Sequence, residues 1–388
     1  MPAAPAVNWV LFDGRTLASS RLQGHVIHDF LVLRGHRSRL LSTPPFPLRD
    51  APWRGPAVAT VAKLAAGQIV VLQKLAGPRT AELLRALRGT GAAVVYAAAD
   101  LELENELPLR CDAVVCSSRL LADRWRRAGA KAIEIPEPAD FWCEPTEGGV
   151  RGRVRLCWIG HRKNWETLAP IRRLLDAHFE LVTVSNHADA DVPWSLEAAR
   201  RELLASDVGI VPTRDDELAR YASPNRVVQV MAAGLPVVAS RIPAYEELVV
   251  DGDNGFLCTT EDEWRAALET LADPIRRREL ARRAWESVRR DFSVDTVGER
   301  WLEIFAALEP GPLPRRSKLA RAALLARARA AASSTYAREA AERDLGLPAV
   351  GRAAAAALVT VPLAPRAGAE AAVATVRAAG RAAGRRIR

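Results

Sequence analysis

Residues 206–257 read SDVGIVPTRDDELARYASPNRVVQVMAAGLPVVASRIPAYEELVVDGDNGFL, and nearly every boundary in the stretch carries a physical signal. Asp207–Pro212 is a short apolar run closed by proline, the pattern of a buried parallel strand. Ser223-Pro224 offers an N-cap hydroxyl and a proline pre-set for a first helical position. Val227, Val228, Val230 and Met231 give the helix an apolar face, and Gly234 suits its left-handed C-terminal position. Leu235–Ala239 is the next buried strand. A helix N-terminus just beyond the carboxyl end of a parallel strand is where α/β sheets hold phosphates, and this one carries Asn225 and Arg226. The stretch predicts an anion-binding crevice.

Outward from it, the same alternation recurs. Strands are expected at Asn8–Phe12, Ile69–Leu72, Ala92–Tyr96, Asp112–Ser118 and Lys131–Pro136, with helices at Ser19–Leu33, Thr80–Arg88 and Arg119–Ala128 between them. Glu144–Gly149, rich in Pro, Gly and charge, marks a boundary, after which the pattern restarts with a strand at Val154–Ile159, a helix at Glu166–Ala177 and a strand at Phe179–Val184. Thr296–Leu308 has the apolar spacing of an amphipathic helix. The fold class predicted is α/β, two Rossmann-like doubly wound parallel-sheet domains at residues 1–148 and 149–310, followed by a basic helical or disordered tail at 311–388.

SPNRVVQVMAAGLPVVAS with EELVVDGDNGFL after it resembles the nucleotide-sugar-binding half of GT-B glycosyltransferases of the retaining group 1, family 4-like type. The likeness spans roughly residues 153–308 and is weaker before them, where the first strand, its Asp13-Gly14 turn and the LRGH ending at residues 33–36 resemble the family's first β-α unit. The resemblance implies a cleft between the two halves, a terminal helix packed back across the junction, and a nucleotide-sugar held at Ser223, Asn225, Arg226 and Gln229, with Glu247 at its nucleotide end. Many members carry a Glu-x7-Glu pair, and its positions here are Tyr221 and Gln229. Gln229 can still bond vicinal hydroxyls, but Tyr221 cannot stand in for a carboxylate. That departure keeps two functions open, an active glycosyltransferase building a bacterial surface glycan or glycoconjugate, and a non-catalytic GT-B protein that binds nucleotide or sugar or serves as an assembly partner.

Glycosyl transfer expels a nucleoside diphosphate, so negative charge builds on a phosphate oxygen, and fixed cations there favour the transition state. The resemblance implies that the loop Gly160-His161-Arg162-Lys163 lies near the donor diphosphate, so Arg162, Lys163 and Arg226 are the expected stabilising cations, with Gly160 and His161 lining the donor. His25 and His28 lie three apart on the first helix, and His25 is the candidate base. Ser20 and Arg21 at the helix start and Asp100 at a strand end are acceptor-side candidates. No metal is expected, since Asp189-Ala190-Asp191 has the spelling of a metal-binding triplet only by coincidence. No cofactor is expected either, the nucleotide-sugar being a substrate.

The formal net charge of +9 divides unevenly: residues 311–388 hold 15 Lys and Arg against 4 Asp and Glu, leaving 40 against 42 in the rest. The body therefore has no pull on polyanions. The tail, Ala/Arg-rich and helix-prone, lacks interleaved aromatics beyond Tyr336, which argues against nucleic acid and leaves a solvated extension or loose contact with an anionic membrane bearing a lipid-linked acceptor. Five cysteines without a CxxC pair suggest reduced thiols, and the first residues lack the basic and apolar regions of a signal peptide, so a cytoplasmic protein is expected.

Overall fold

The computed structural model describes residues 5–42, 58–102, 105–145, 152–175, 178–214 and 216–311. The tail and most of the Glu144–Gly149 boundary lie outside the described residues. The first half is a six-stranded sheet of β1 (Val7–Val10), β2 (Ser38–Ser42), β3 (Ile69–Gln73), β4 (Ala93–Ala98), β5 (Ala113–Cys116) and β6 (Ala132–Glu134) in the order β2-β1-β3-β4-β5-β6. The second is a six-stranded sheet of β7 (Val154–Ile159), β8 (Phe179–Ser185), β9 (Val192–Pro193), β10 (Val208–Val211), β11 (Val237–Ser240) and β12 (Phe256–Cys258) in the order β12-β11-β10-β7-β8-β9. Every pairing is parallel. The central strands are buried along their whole length, as β3 and β4 show, because helices cover both faces. This is the GT-B architecture, and each sheet reverses strand order once: between β1 and β3 in the first, between β7 and β10 in the second. Such switch points open a crevice at the carboxyl ends of the strands.

The two halves are tied by exchanged elements. The helix Val294–Ala306, begun by Ser293 whose Oγ accepts the Thr296 N–H at 3.1 Å, leaves the second half and buries Val297, Trp301 and Phe305 in the core of the first. Trp301 lies 5.6 Å from Trp9 between ring centroids, and Phe305 meets Trp9 edge-on at 6.1 Å. Gly298 makes the contact possible, since a Cβ there would come within 2.5 Å of Phe30. In the other direction, Ala139 of the linker is buried in the second core, with Phe141 and Trp142 packed against it. Gly234 closes the helix Asn225–Ala232 at φ +75°, and a Cβ there would lie 2.8 Å from the Cys143 carbonyl oxygen as the linker passes over it.

Several expectations need adjustment. The helix expected at Glu166–Ala177 is a 3-10 turn, Arg162–Leu168, followed by an α-helix, Ala169–Leu174. Pro170 has no N–H to give the Glu166 carbonyl, so Ala169 closes that carbonyl in the tighter pattern. The first helix is interrupted by a π-helical segment at Arg21–His25 between Ala18–Ser20 and Val26–Leu33. Pro224 takes the cap position and the helix begins at Asn225, while Ser223 Oγ still accepts the Asn225 N–H at 3.2 Å. Ser118 precedes its helix without capping it. Asp191 accepts both the N–H and the hydroxyl of Thr183, at 2.8 and 2.7 Å, which gives it a fold role at the edge of β8. All five cysteines are free, and burial pushes the thiols of Cys111, Cys116, Cys157 and Cys258 up to about 12. Among the described residues no helix is long and apolar enough to cross a membrane.

Candidate functional site

At the switch point of the second sheet the loops after β7 and β10 meet the N-terminus of Asn225–Ala232. Gly160 ends β7, and a Cβ on it would strike the Trp158 ring at 2.2 Å, so the loop turns there. His161 then caps the 3-10 turn, its Nδ1 accepting the Lys163 N–H at 3.2 Å. Burial, with the charges of Lys163 and Arg162, holds the His161 imidazole below its usual range and so neutral. Arg162 donates its N–H to Asn186 at the end of β8, at 2.8 Å. Arg214, just beyond β10, donates to the carbonyl of Lys163 and locks the two loops together. Arg226 donates through Nη2 to Thr213 Oγ1 at 3.0 Å and to the Tyr245 hydroxyl at 3.1 Å, and its buried Nη1 finds no partner among the described residues. A guanidinium held on one side and unsatisfied on the other, beside a helix N-terminus, is built for an anion.

The helix's other predicted residues point toward the linker. Ser223 and Asn225 both donate to Glu137, at 2.5 and 2.7 Å. Gln229 donates to the Pro138 carbonyl at 3.3 Å. Tyr221 packs against the first-half core, with Arg124 5.5 Å over its ring. Glu247 pairs with Arg119 of the first half at 3.1 Å rather than with anything on its own side. Burial raises the Glu247 carboxyl, and Arg119 counters it.

The opposing wall comes from the first sheet. Lys74 follows β3 at its switch point with φ +55°, the one non-glycine residue in the left-handed region among the described residues. Its ammonium pairs with Asp100 at the end of β4. Burial opposes the charge, but Asp100, and beyond it Glu102 and Glu137, hold the Lys74 proton above its usual range. Behind the pair, Asn105 and Tyr96 both donate to Glu102, at 2.5 and 2.7 Å, with Glu102 raised by burial against those two bonds. Asp100, an acceptor-side candidate, is thus paired with Lys74 at the switch point of the first sheet. Ser20 is fully buried and donates to Gln73 at 2.9 Å while accepting the Asp13 N–H at 3.0 Å. Arg21 is committed to Asp140 at 2.8 Å, which Arg200 also holds at 3.2 Å. These two residues fix the loop after β1 and the linker.

His25, on the π segment, is 5% exposed. Burial foremost, then Arg15, lowers its pKa to about 4. His28 instead bonds Ser38 at 2.7 Å. Because the folded pKa of His25 is depressed, the stability it protects is complete above pH 6.5 and drains away as pH falls from 6.5 to about 4. The full effect is about 3 kcal/mol. Urea unfolding at pH 7 and pH 4 should show the wild type losing about that much more than His25→Gln; parallel losses would refute the assignment.

Lys74, Glu137, Thr213, Arg214 and Tyr245 were not found from sequence. Nothing in the letters of Lys74 announces a left-handed backbone, and Glu137 enters the crevice only because the linker folds over the helix.

Comparison with known proteins agrees with this geometry. Residues 148–273 match the family described as "Glycosyl transferases group 1". No protein of curated function matches the sequence. Among solved structures, HepE of Anabaena in complex with UDP and glucose aligns at 17% identity over 78% of this chain and 100% of its own, with a TM-score of 0.60. Sucrose-phosphate synthase of Thermosynechococcus elongatus aligns at 14% identity over 79% and 100%, with a TM-score of 0.61. A glycosyltransferase of Rickettsia africae aligns at 12% identity over 79% and 98%, with a TM-score of 0.58. At these identities the structures speak for the fold, and the family match speaks for the second half. The chain has the GT-B fold, and its residues 148–273 match the group 1 glycosyltransferase family.

Proposed function

We propose that the protein transfers a sugar from a nucleotide-sugar to a glycan or lipid-linked acceptor, with retention and without a metal or other cofactor, in the assembly of a bacterial surface glycan. The observation that carries the reading is Arg226: Thr213 and Tyr245 hold one nitrogen and leave Nη1 unsatisfied at a helix N-terminus. A nucleoside diphosphate leaving group would be bound there by the guanidinium, the positive end of the helix and the cations Arg162 and Lys163 of the opposing loop. Each strengthens as charge develops on the departing oxygen. That HepE was solved with UDP and glucose supports a nucleotide-sugar in this crevice. Asp191, one of the two acids of the triplet 189–191, is spent on Thr183, which supports metal independence. With the His161 Nδ1 engaged by the Lys163 N–H and His25 buried, the acceptor proton is best taken by the leaving phosphate itself, as retention allows.

The test is release of UDP or GDP from a panel of UDP-glucose, UDP-N-acetylglucosamine and GDP-mannose. The expected result is slow release with one donor, unchanged by EDTA. Tight binding without release would favour the non-catalytic reading, for which the neutral Tyr221 and Gln229 speak. Activity abolished by EDTA and restored by magnesium would overturn metal independence.

A further inference from the structure

The helix that should hold the donor carries no carboxylate of its own where the sugar would lie. Tyr221 is packed into the first half, and Gln229 Nε2 is engaged by Pro138. A carboxylate nevertheless stands at this helix start. Glu137 comes from the linker, is 1% exposed, and accepts from Ser223 and Asn225 through one oxygen, Oε2. Its other oxygen, Oε1, is buried without a partner among the described residues. An unpaired carboxylate oxygen in a dry seam is costly unless O–H or N–H donors reach it.

The surroundings select the donor. Glu137 lies within electrostatic reach of Lys74 and Asp100, which come from the first half. Held on Ser223 and Asn225 at the helix start, it stands between the donor helix and the first half, where a transferred hexose would lie between donor and acceptor. A phosphate would be repelled by it; a sugar hydroxyl would donate to it. We infer that Glu137 supplies, from the linker, the carboxylate that hydrogen-bonds hydroxyls of the transferred sugar, an inference that rests on the transferase reading above. On the flank of the seam beside Tyr221, the direct bonds include Ser118 to the Tyr221 carbonyl at 3.4 Å and the pair of exposed Arg119 with half-buried Glu247.

The experiment is calorimetry of the full chain, wild type and Glu137→Gln, with UDP against UDP-glucose and GDP against GDP-mannose. The wild type is expected to bind one nucleotide-sugar more tightly than its nucleotide. In Glu137→Gln that nucleotide-sugar should lose about tenfold while the nucleotide changes by less than about twofold, the mark of a lost charge-assisted bond to a hydroxyl. Glu137→Asp keeps the charge but withdraws it by one methylene; it should fold as the wild type and lose the same sugar-dependent increment. Equal losses for nucleotide and nucleotide-sugar would overturn the inference in favour of a role in shaping the helix. Tighter nucleotide binding by Glu137→Gln would overturn it in favour of a carboxylate that competes for the phosphate position. A sugar increment absent from the wild type, or intact in both variants, would overturn it while leaving the transferase reading standing. A wild type that binds none of the four ligands would bring down both.

Discussion

Trp301→Ala should destabilise the protein by about 3–5 kcal/mol, the range for truncating a buried aromatic to alanine. Trp301 is 1% exposed, and it packs against Trp9 and Phe305 in the core of the half it does not belong to by sequence. The cavity cannot close easily, because Trp9 and Ile27 are fully buried and set by the first sheet and its helix. The consequence exceeds a local loss. The helix Val294–Ala306 is the strap by which the second half grips the first, so its release should let the two halves unfold separately. Urea unfolding followed by far-ultraviolet circular dichroism should change from one transition to two, and the two-state treatment should fail for the variant. Leu302→Ala, on the partly buried side of the same helix, serves as the control and should keep a single transition. A Trp301→Ala curve that overlays the wild type would mean the halves are held by something other than this strap.

Much of this architecture is legible in the letters because long-range order repeats short-range chemistry. Val154–Ile159 has the same bounds in sequence and structure: its apolar run is buried in mid-sheet, and Gly160 ends it. The terminal helix was displaced by two residues at each end, since Ser293 outcompetes the later residues as a cap. What escaped was short or at an edge. Ser38–Ser42 carries Arg39 within a half-exposed edge strand, and Phe256–Cys258 is three residues long and reads as part of its turn. The π segment at Arg21–His25 escaped for a different reason. Its sequence is that of an ordinary helix, and only the approach of Leu11 to Gly24, where a Cβ would come within 2.6 Å, marks the place. The site divides in the same way. Arg226, His161 and the cations of the loop stand out as candidates in the sequence because each sits at a strand or helix terminus. Ser20 and Arg21 sit at such a terminus too, but Gln73 and Asp140, distant in sequence, absorb them into the scaffold. Glu137 reaches the helix across 86 residues of sequence to Ser223, a distance no local pattern spans.

Arg226→Ala should weaken binding of UDP or GDP at least tenfold and leave the affinity for uridine or guanosine nearly unchanged. Hydrogen bonds to charged groups are worth about 1.5–3 kcal/mol, and each 1.4 kcal/mol is a factor of ten in affinity. The guanidinium is not a free surface charge whose loss salt would mask. Thr213 and Tyr245 fix it, Thr213 is itself tied to Ser240 at 2.8 Å, and Tyr245 is fully buried. Little ordering remains to be done when the phosphate arrives, so most of the bond should appear as affinity. Arg226→Lys sharpens the test. An ammonium can approach a phosphate, but it cannot grip Thr213 and Tyr245 with one nitrogen while offering another, so the lysine variant should fall between wild type and alanine. If calorimetry instead shows the nucleoside losing as much affinity as the diphosphate, Arg226 is serving the shape of the helix. The phosphate must then be sought at Arg162, Lys163 and Arg214 on the opposite loops.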